Sequence, residues 1–174
     1  MIPFSNAKAL LENYKLEDNR IRHSQAVSNF AFELAEKVHA HHPELGVDPE
    51  KVRIAALLHD IGRSRPGDHE INSVAILNSE GLADIAAIVM HGSMYEISVL
   101  RGTPDASLLP RSLENKIVAY ADARVKDRIV SLQERFDEVL CRRALESEKV
   151  ESVKMAMKRY FEMQKELLGL AAEE

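Results

Sequence analysis

Apolar residues recur at the three- and four-residue spacing of a helix along almost the whole chain, and no stretch keeps the strict alternation that a half-buried strand requires. That periodicity dictates an all-α protein. Val27, Phe30, Ala31, Leu34, Ala35 and Val38 define one face of a helix over about 20–41. Asp48 and Pro49 then form an N-cap and first-turn pair for a second helix over about 49–61. That helix is apolar nearly all round toward its end, so it belongs at the centre of the fold. Further helices are expected over about 69–80 and 82–91, with Gly81 and Gly92 as stop signals. The segment 92–111, with two prolines and two glycines, reads as the longest irregular stretch and is long enough for a lid. A fifth helix starts near Ser112, carries Val118, Ala121, Val125 and Ile129 on one face, and continues into "LQERFDEVL". A last amphipathic helix covers about 145–168, facing inward through Val150, Val153, Met157, Tyr160, Phe161 and Leu168.

At 174 residues the chain has enough core to fold without a disulfide or a structural metal, so a metal held by it would serve function. The expected organisation is one helical domain over 1–140, with its core at about 20–130. A C-terminal helical extension, 141–174, packs on it. The lone Cys141 cannot form an internal disulfide and reads as a half-buried helix residue. No apolar run approaches the roughly 18 residues of a membrane span, and the first residues lack the pattern of an export signal, so a cytoplasmic protein without a membrane partner is expected. A net charge of −5 argues against a nucleic-acid partner, which usually demands a basic stripe. A small anion needs only a local positive pocket.

The informative residues are polar ones set where the pattern calls for apolar ones. Asp122 interrupts the stripe of the fifth helix, His59 and Asp60 follow "IAALL", His23 lies one turn before Val27, and His91 closes "IAAIVM". A carboxylate buried alone is very costly, so each must be paired or bound to a metal. Convergence on one place explains them all. By contrast, His39, His41 and His42 precede Pro43 at a helix end without matching carboxylates and read as exposed.

In their order along the chain, His23, His59-Asp60 and Asp122 resemble the H…HD…D signature of the HD-domain superfamily, and "LLHDIGR" looks like the HDIG form of its motif. His69 and His91 extend the match to the six-residue pattern H…HD…H…H…D. The resemblance covers about residues 20–130 and implies an all-helical fold and a metal-dependent phosphohydrolase. It further implies that His23, His59, Asp60 and Asp122 hold one metal, and that His69 and His91 either hold a second with Asp60 bridging or, with one metal only, contact phosphate or act as a general acid. The donor chemistry agrees: imidazoles and carboxylates without thiolates suit divalent iron, manganese, cobalt, nickel or zinc. Two such ions activate water and clamp phosphoryl oxygens in an in-line displacement.

Asp60, His69, His91 and Arg63 are the residues expected at the reaction, with Arg63, Arg65 and Lys126 as candidate phosphate ligands. The resemblance implies a small phosphorylated substrate, a nucleotide by preference, and is compatible with a homo-oligomer. The chain lacks the GYP motif of cyclic-di-GMP phosphodiesterases and is more similar to stand-alone diadenosine tetraphosphate hydrolases. Two alternatives stay open: an HD-fold di-iron oxygenase, which uses a similar ligand set, and a ligand-sensing module without turnover.

Overall fold

The computed structural model describes residues 2–172. It is all-α: α1 (Phe4–Asn13), α2 (Asp18–His41), α3 (Pro49–Leu58), α4 (His69–Ser79), α5 (Ala83–Ala86), α6 (Met94–Leu100), α7 (Leu113–Arg124), α8 (Leu132–Arg142) and α9 (Ser147–Leu170). Short 3-10 turns occupy Pro43–Leu45, Ile61–Ser64 and Ala106–Leu108. No strand occurs among the described residues. No helix there is long and apolar enough to cross a membrane.

The most apolar helix is central, as its sequence requires. α3 starts where Asp48 accepts a hydrogen bond from the Lys51 N–H at 3.1 Å, with Pro49 in the first turn. It packs on α1, α2 and α7, and Ile54, Ala55, Ala56, Leu57 and Leu58 are all buried. Each fully buried Leu or Ile stabilises the fold by about 1.5–3 kcal/mol. The polar groups that follow Leu58 are therefore carried into a dry interior by neighbours that strongly favour being there.

Several boundaries differ from the sequence expectation. The helix expected to run to 61 ends at Leu58, and the chain tightens through His59 and Asp60 into the 3-10 turn Ile61–Ser64. The helix expected over 82–91 shrinks to Ala83–Ala86. The Asn115 side-chain amide donates to the carbonyls of Ile88 and Met90 at 2.9 and 2.7 Å, so these groups are satisfied without helix. The segment 92–111 is not irregular throughout, because it holds α6, which packs against α9. The fifth helix stops at Arg124; Val125 and Ile129 pair across a tight turn, Arg124 donates its Nε–H to the Val130 carbonyl, and Ile129 is exposed rather than on the helix face. Ser131 then caps α8 by accepting the Glu134 N–H at 3.1 Å.

α1 has no counterpart in the sequence reading, and it buries Ala7 and Leu11. α9 begins and ends two residues later than expected, and its buried face is Ser152, Ala156, Tyr160, Met163 and Leu167, while Phe161 and Leu168 are exposed. It contacts α2, α6, α7 and α8, so its inner face joins the common core. Cys141 is exposed rather than half-buried. His39 and His41 are exposed as expected, and His42 is partly so.

Candidate metal centre

Five elements bring the polar intruders together. α2 supplies His23, the end of α3 supplies His59 and Asp60, the first residue of α4 is His69, the extended run after α5 supplies His91, and α7 supplies Asp122. Three overlapping groups of potential ligand atoms result: His23, His59 and Asp122; His59, Asp60 and His91; His69, Glu70 and His91. His59, Asp60 and His91 are almost wholly buried, whereas His23 and Asp122 remain partly open to the outside.

The distances divide the cluster in two. On one side, Asp122 Oδ1 is 3.0 Å from His23 Nε2 and 3.4 Å from His59 Nε2. On the other, Asp60 Oδ1 is 3.4 Å from His69 Nε2 and 3.7 Å from His91 Nε2, and the two histidines are 3.2 Å apart through Nε2. Asp60 Oδ2 turns back toward His59 Nε2, at 3.9 Å. Asp60 thus stands between both halves with one oxygen toward each. Bonds of about 2.0–2.1 Å to a single ion put neighbouring ligand atoms about 3.0–3.4 Å apart, which the shorter spacings at Asp122 and between Asp60, His69 and His91 match.

The hydrogen bonds give the stronger test. His59 Nδ1 donates to the Ala56 carbonyl at 2.7 Å, which leaves Nε2 with a lone pair that is buried and has no hydrogen-bond partner. That lone pair faces carboxylate oxygens, and Asp60 Oδ1 is likewise buried without a partner. Acceptors facing acceptors in a dry site repel unless a cation lies between them. His91 Nδ1 similarly donates to the Val89 carbonyl at 2.8 Å and aims Nε2 into the cluster. Backbone-anchored imidazoles of this kind are how metal-binding histidines are oriented.

The electrostatics call for the same positive charge. Burial pushes Asp60 up, but the charges of His59, His91 and Arg63 outweigh it and hold the carboxyl well below its usual range. Burial also pushes Asp122 up, and its bond with His23 together with the nearby His59 and His91 rings brings it well below. Burial, followed by the charge of His91, pushes His69 down to about 3. Burial lowers His91, yet the charges of Glu70, Asp122 and Asp60 around it raise it to about 10. The carboxylates stay ionised and demand a cation, as a proton on His91 or as a metal ion.

Arg63 lies at the rim, a third exposed, donating to Asp60 and reaching His69 Nε2 at 3.0 Å. Lys126 lines the cleft that opens on Asp60 and Asp122, although it sits in the turn after α7 and not one helical turn beyond Asp122. Arg65 does not line that cleft. It lines an adjoining groove with Lys15, Arg20, Arg63 and His69, and its guanidinium lies over the Tyr14 ring at 5.8 Å.

The turn after α3 can reach α4 only because residue 62 is glycine. A Cβ there would lie 2.0 Å from the His69 carbonyl oxygen. The Gly62 N–H donates to Ser73 Oγ at 2.9 Å, and Ser73 Oγ donates to the His59 carbonyl at 2.7 Å, which ties the His-Asp turn to the helix carrying His69. At the other end, Gly92 has φ +66° and faces the Glu70 carboxylate, which a Cβ would meet at 2.4 Å. Its N–H donates to the Tyr160 hydroxyl at 2.9 Å, and its carbonyl accepts from Arg159 at 2.9 Å.

Glu70 escaped the sequence reading. Its carboxylate is buried beside His69 and His91, its Oε2 has no hydrogen-bond partner, and burial pushes it up to about 7 against the pull of His91. An acid in a first helical turn passes as an ordinary dipole partner. The signal was its place in the buried stripe Glu70, Ser73, Ile76 and Leu77.

Comparison with known proteins gives several relatives. The chain is 37% identical over 126 residues to an uncharacterized protein of Methanocaldococcus jannaschii, covering 68% of this chain and 73% of that one. It is 32% identical over 136 residues to a tRNA (cytidine(56)-2'-O)-methyltransferase of Picrophilus torridus, covering 74% of this chain and 38% of the relative. The corresponding protein of Thermoplasma volcanium is 33% identical over 120 residues, covering 65% of this chain and 33% of its own. The chain thus spans about a third to two-fifths of the methyltransferase relatives. No solved structure matches it. The HD domain profile matches residues 20–126, which run from just before His23 to just beyond Asp122, and with four histidines and two aspartates gathered in that order the chain belongs to the HD domain family.

Proposed function

We propose that the protein is a metal-dependent phosphohydrolase that cleaves a nucleotide or a related small phosphate ester. The observation that carries this reading is a buried ligand cluster opening directly into a cleft with cationic walls. The cleft measures about 330 Å³ and is lined by His23, Asp60 and Asp122 together with Arg20, Arg63, Lys126, Arg135, Arg142 and Arg143. Ligand sets of this type occur in oxygenases as well, but walls so rich in guanidinium groups suit a phosphoryl anion.

His23, His59, Asp60 and Asp122 would hold one divalent ion, and His69 and His91 would hold a second with Asp60 between them. Bound there, the metal supplies Lewis acidity toward phosphoryl oxygens and lowers the pKa of water toward neutrality. The protein's own groups do the positioning. Ala56 and Val89 carbonyls fix the His59 and His91 rings, Arg63 meets the phosphoryl group at the rim, and Lys126 adds a point charge from the cleft lining. A guanidinium aimed at the phosphoryl oxygens stabilises the charge that builds there as the leaving oxygen departs. The names of two relatives concern a tRNA-modifying enzyme, which supports a nucleotide-derived substrate class.

The test is a panel of nucleoside monophosphates, dinucleoside polyphosphates, cyclic nucleotides and p-nitrophenyl phosphate, assayed with manganese, ferrous iron and cobalt. Hydrolysis of at least one member, abolished by chelator, is expected. Fully metal-loaded protein that cleaves none of them overturns the reading.

A further inference from the structure

The cations around the cluster exceed what one phosphate group can use. Arg135 and Arg142 of α8, and Arg143 just after it, lie beyond residues 20–126, the part matched to the family. They nevertheless wall the cleft at the metal centre. Arg142 and Arg143 also line the adjoining 300 Å³ space around His69, Glu70 and His91, where Lys149 joins them. The same two side chains therefore stand over both halves of the ligand cluster.

Their local partners neutralise them only in part, although Glu138 itself lines the cleft. Glu138 is shared by Arg135 at 3.2 Å and Arg142 at 3.5 Å, so one carboxylate serves two guanidinium groups. Arg143 pairs with Glu146 at 2.9 Å, outside the lining, while Arg20, Lys126 and Lys149 have no ion pair among the described residues. A chain with net charge −5 thus sets seven of its 23 Lys and Arg side chains around these two spaces. Like charges held together in a concave site focus the potential on an anion and repel one another until it arrives. A single phosphate at the cluster is already met by Arg63 and Lys126.

Resting on the phosphohydrolase reading, we propose that Arg142 and Arg143, backed by Arg135, form a second phosphate subsite, and that the substrate carries linked phosphate groups, as a nucleoside polyphosphate does. One phosphate reaches the ligand cluster. Another is held against the C-terminal part of the chain, so α8 and the turn after it select the substrate.

Calorimetric titration of the full, metal-loaded chain with two probes that cannot be hydrolysed tests this: orthophosphate and the bis-methylene analogue of tripolyphosphate. The double variant Arg142→Gln/Arg143→Gln should bind the triphosphate analogue at least tenfold more weakly and orthophosphate within twofold. The charge-matched variant Arg128→Gln/Lys158→Gln, at exposed positions off the cleft, should change neither. Equal weakening of both probes, or of neither, overturns the proposal. So does tenfold weakening of a uridylate trinucleotide with the triphosphate analogue unaffected, which would point to an oligonucleotide. Failure of the phosphohydrolase reading shows separately, as absence of hydrolysis with p-nitrophenyl phosphate and the nucleotides while the binding contrast persists.

Discussion

Replacing Gly62 by alanine should unfold the link between the two halves of the metal centre. The added Cβ would lie 2.0 Å from the His69 carbonyl oxygen, 2.4 Å from the Ser73 nitrogen and 2.8 Å from the Asn72 Cβ. The first two are backbone atoms of α4, so no rotamer change relieves the clash; the turn and the helix must separate by more than about 1 Å to reach ordinary contact. Overpacking of this kind costs about 1–3 kcal/mol. Separation also strains the bonds through Ser73 Oγ to the Gly62 N–H and the His59 carbonyl, each worth about 1 kcal/mol. The total is about 3–5 kcal/mol, which for a chain of this size lowers Tm by about 6–20 °C. Urea unfolding followed by circular dichroism, at saturating metal, measures it, and the slope m should be unchanged because the loss is native-state strain. Gly169 is the control: nothing lies within 4 Å of a Cβ there, so Gly169→Ala should stabilise the helix by up to about 1 kcal/mol. Gly62→Ala within about 0.5 kcal/mol of the parent, with its metal retained, would refute the close-approach argument.

Asp60→Asn should keep the helical circular dichroism signal and lose metal and hydrolysis together, by more than the roughly 10–100-fold seen when only an outer-shell partner is removed; elemental analysis and turnover check it, and near-normal turnover contradicts the proposed role of Asp60 as a metal ligand. Removing metal with chelator should lower Tm by about 8–16 °C if the ion was present at about a thousand times its Kd, since binding to the native state then contributes about 4 kcal/mol; an unchanged Tm means that no ion binds the fold. Tyr160→Phe leaves the Gly92 N–H without its partner and should cost about 1–3 kcal/mol, read as a lower urea midpoint with a reduced metal content.

The helices that could be read from the sequence are those whose burial pattern is decided by their own residues. α2 has a long buried stripe and α3 a sound N-cap at Asp48, so tertiary contacts left the body of the first and the start of the second where the sequence put them. The misplaced boundaries lie where a distant group took over the backbone. Asn115 satisfies the Ile88 and Met90 carbonyls from 27 and 25 residues away, and no local pattern contains that information. The break after Arg124 did carry a local signal, since Ser131 followed three residues later by Glu134 is a helix-start pair. It was outweighed by the apolar spacing that made Ile129 look like part of a stripe. His23, His59, Asp60, His91 and Asp122 were legible because each was a polar residue where burial was expected, and His69 only through the family pattern. Arg142 and Arg143 were not, because an exposed arginine on an amphipathic helix looks the same whether its rim faces water or a ligand.

α9 joins the core and the site in one element. Its buried Tyr160 accepts from the Gly92 N–H, and the next residue toward the N-terminus, Arg159, donates to the Gly92 carbonyl and pairs with the buried Glu96 at 2.9 Å. Both backbone groups of the residue after His91 are thereby fixed from a helix outside the matched region. Gly92 needs this, because its φ of +66° and its contact with Glu70 leave no Cβ to wedge it in place. An imidazole that must meet an ion within a few tenths of an ångström cannot hang from a free loop. The buried ion pair between Arg159 and Glu96 is weak evidence for stability by itself; its value here is geometric, since it holds α6 to α9 and sets the direction in which the chain leaves His91. The C-terminal helices therefore act on the centre twice, by fixing the backbone beside a ligand and by bringing cations over the opening.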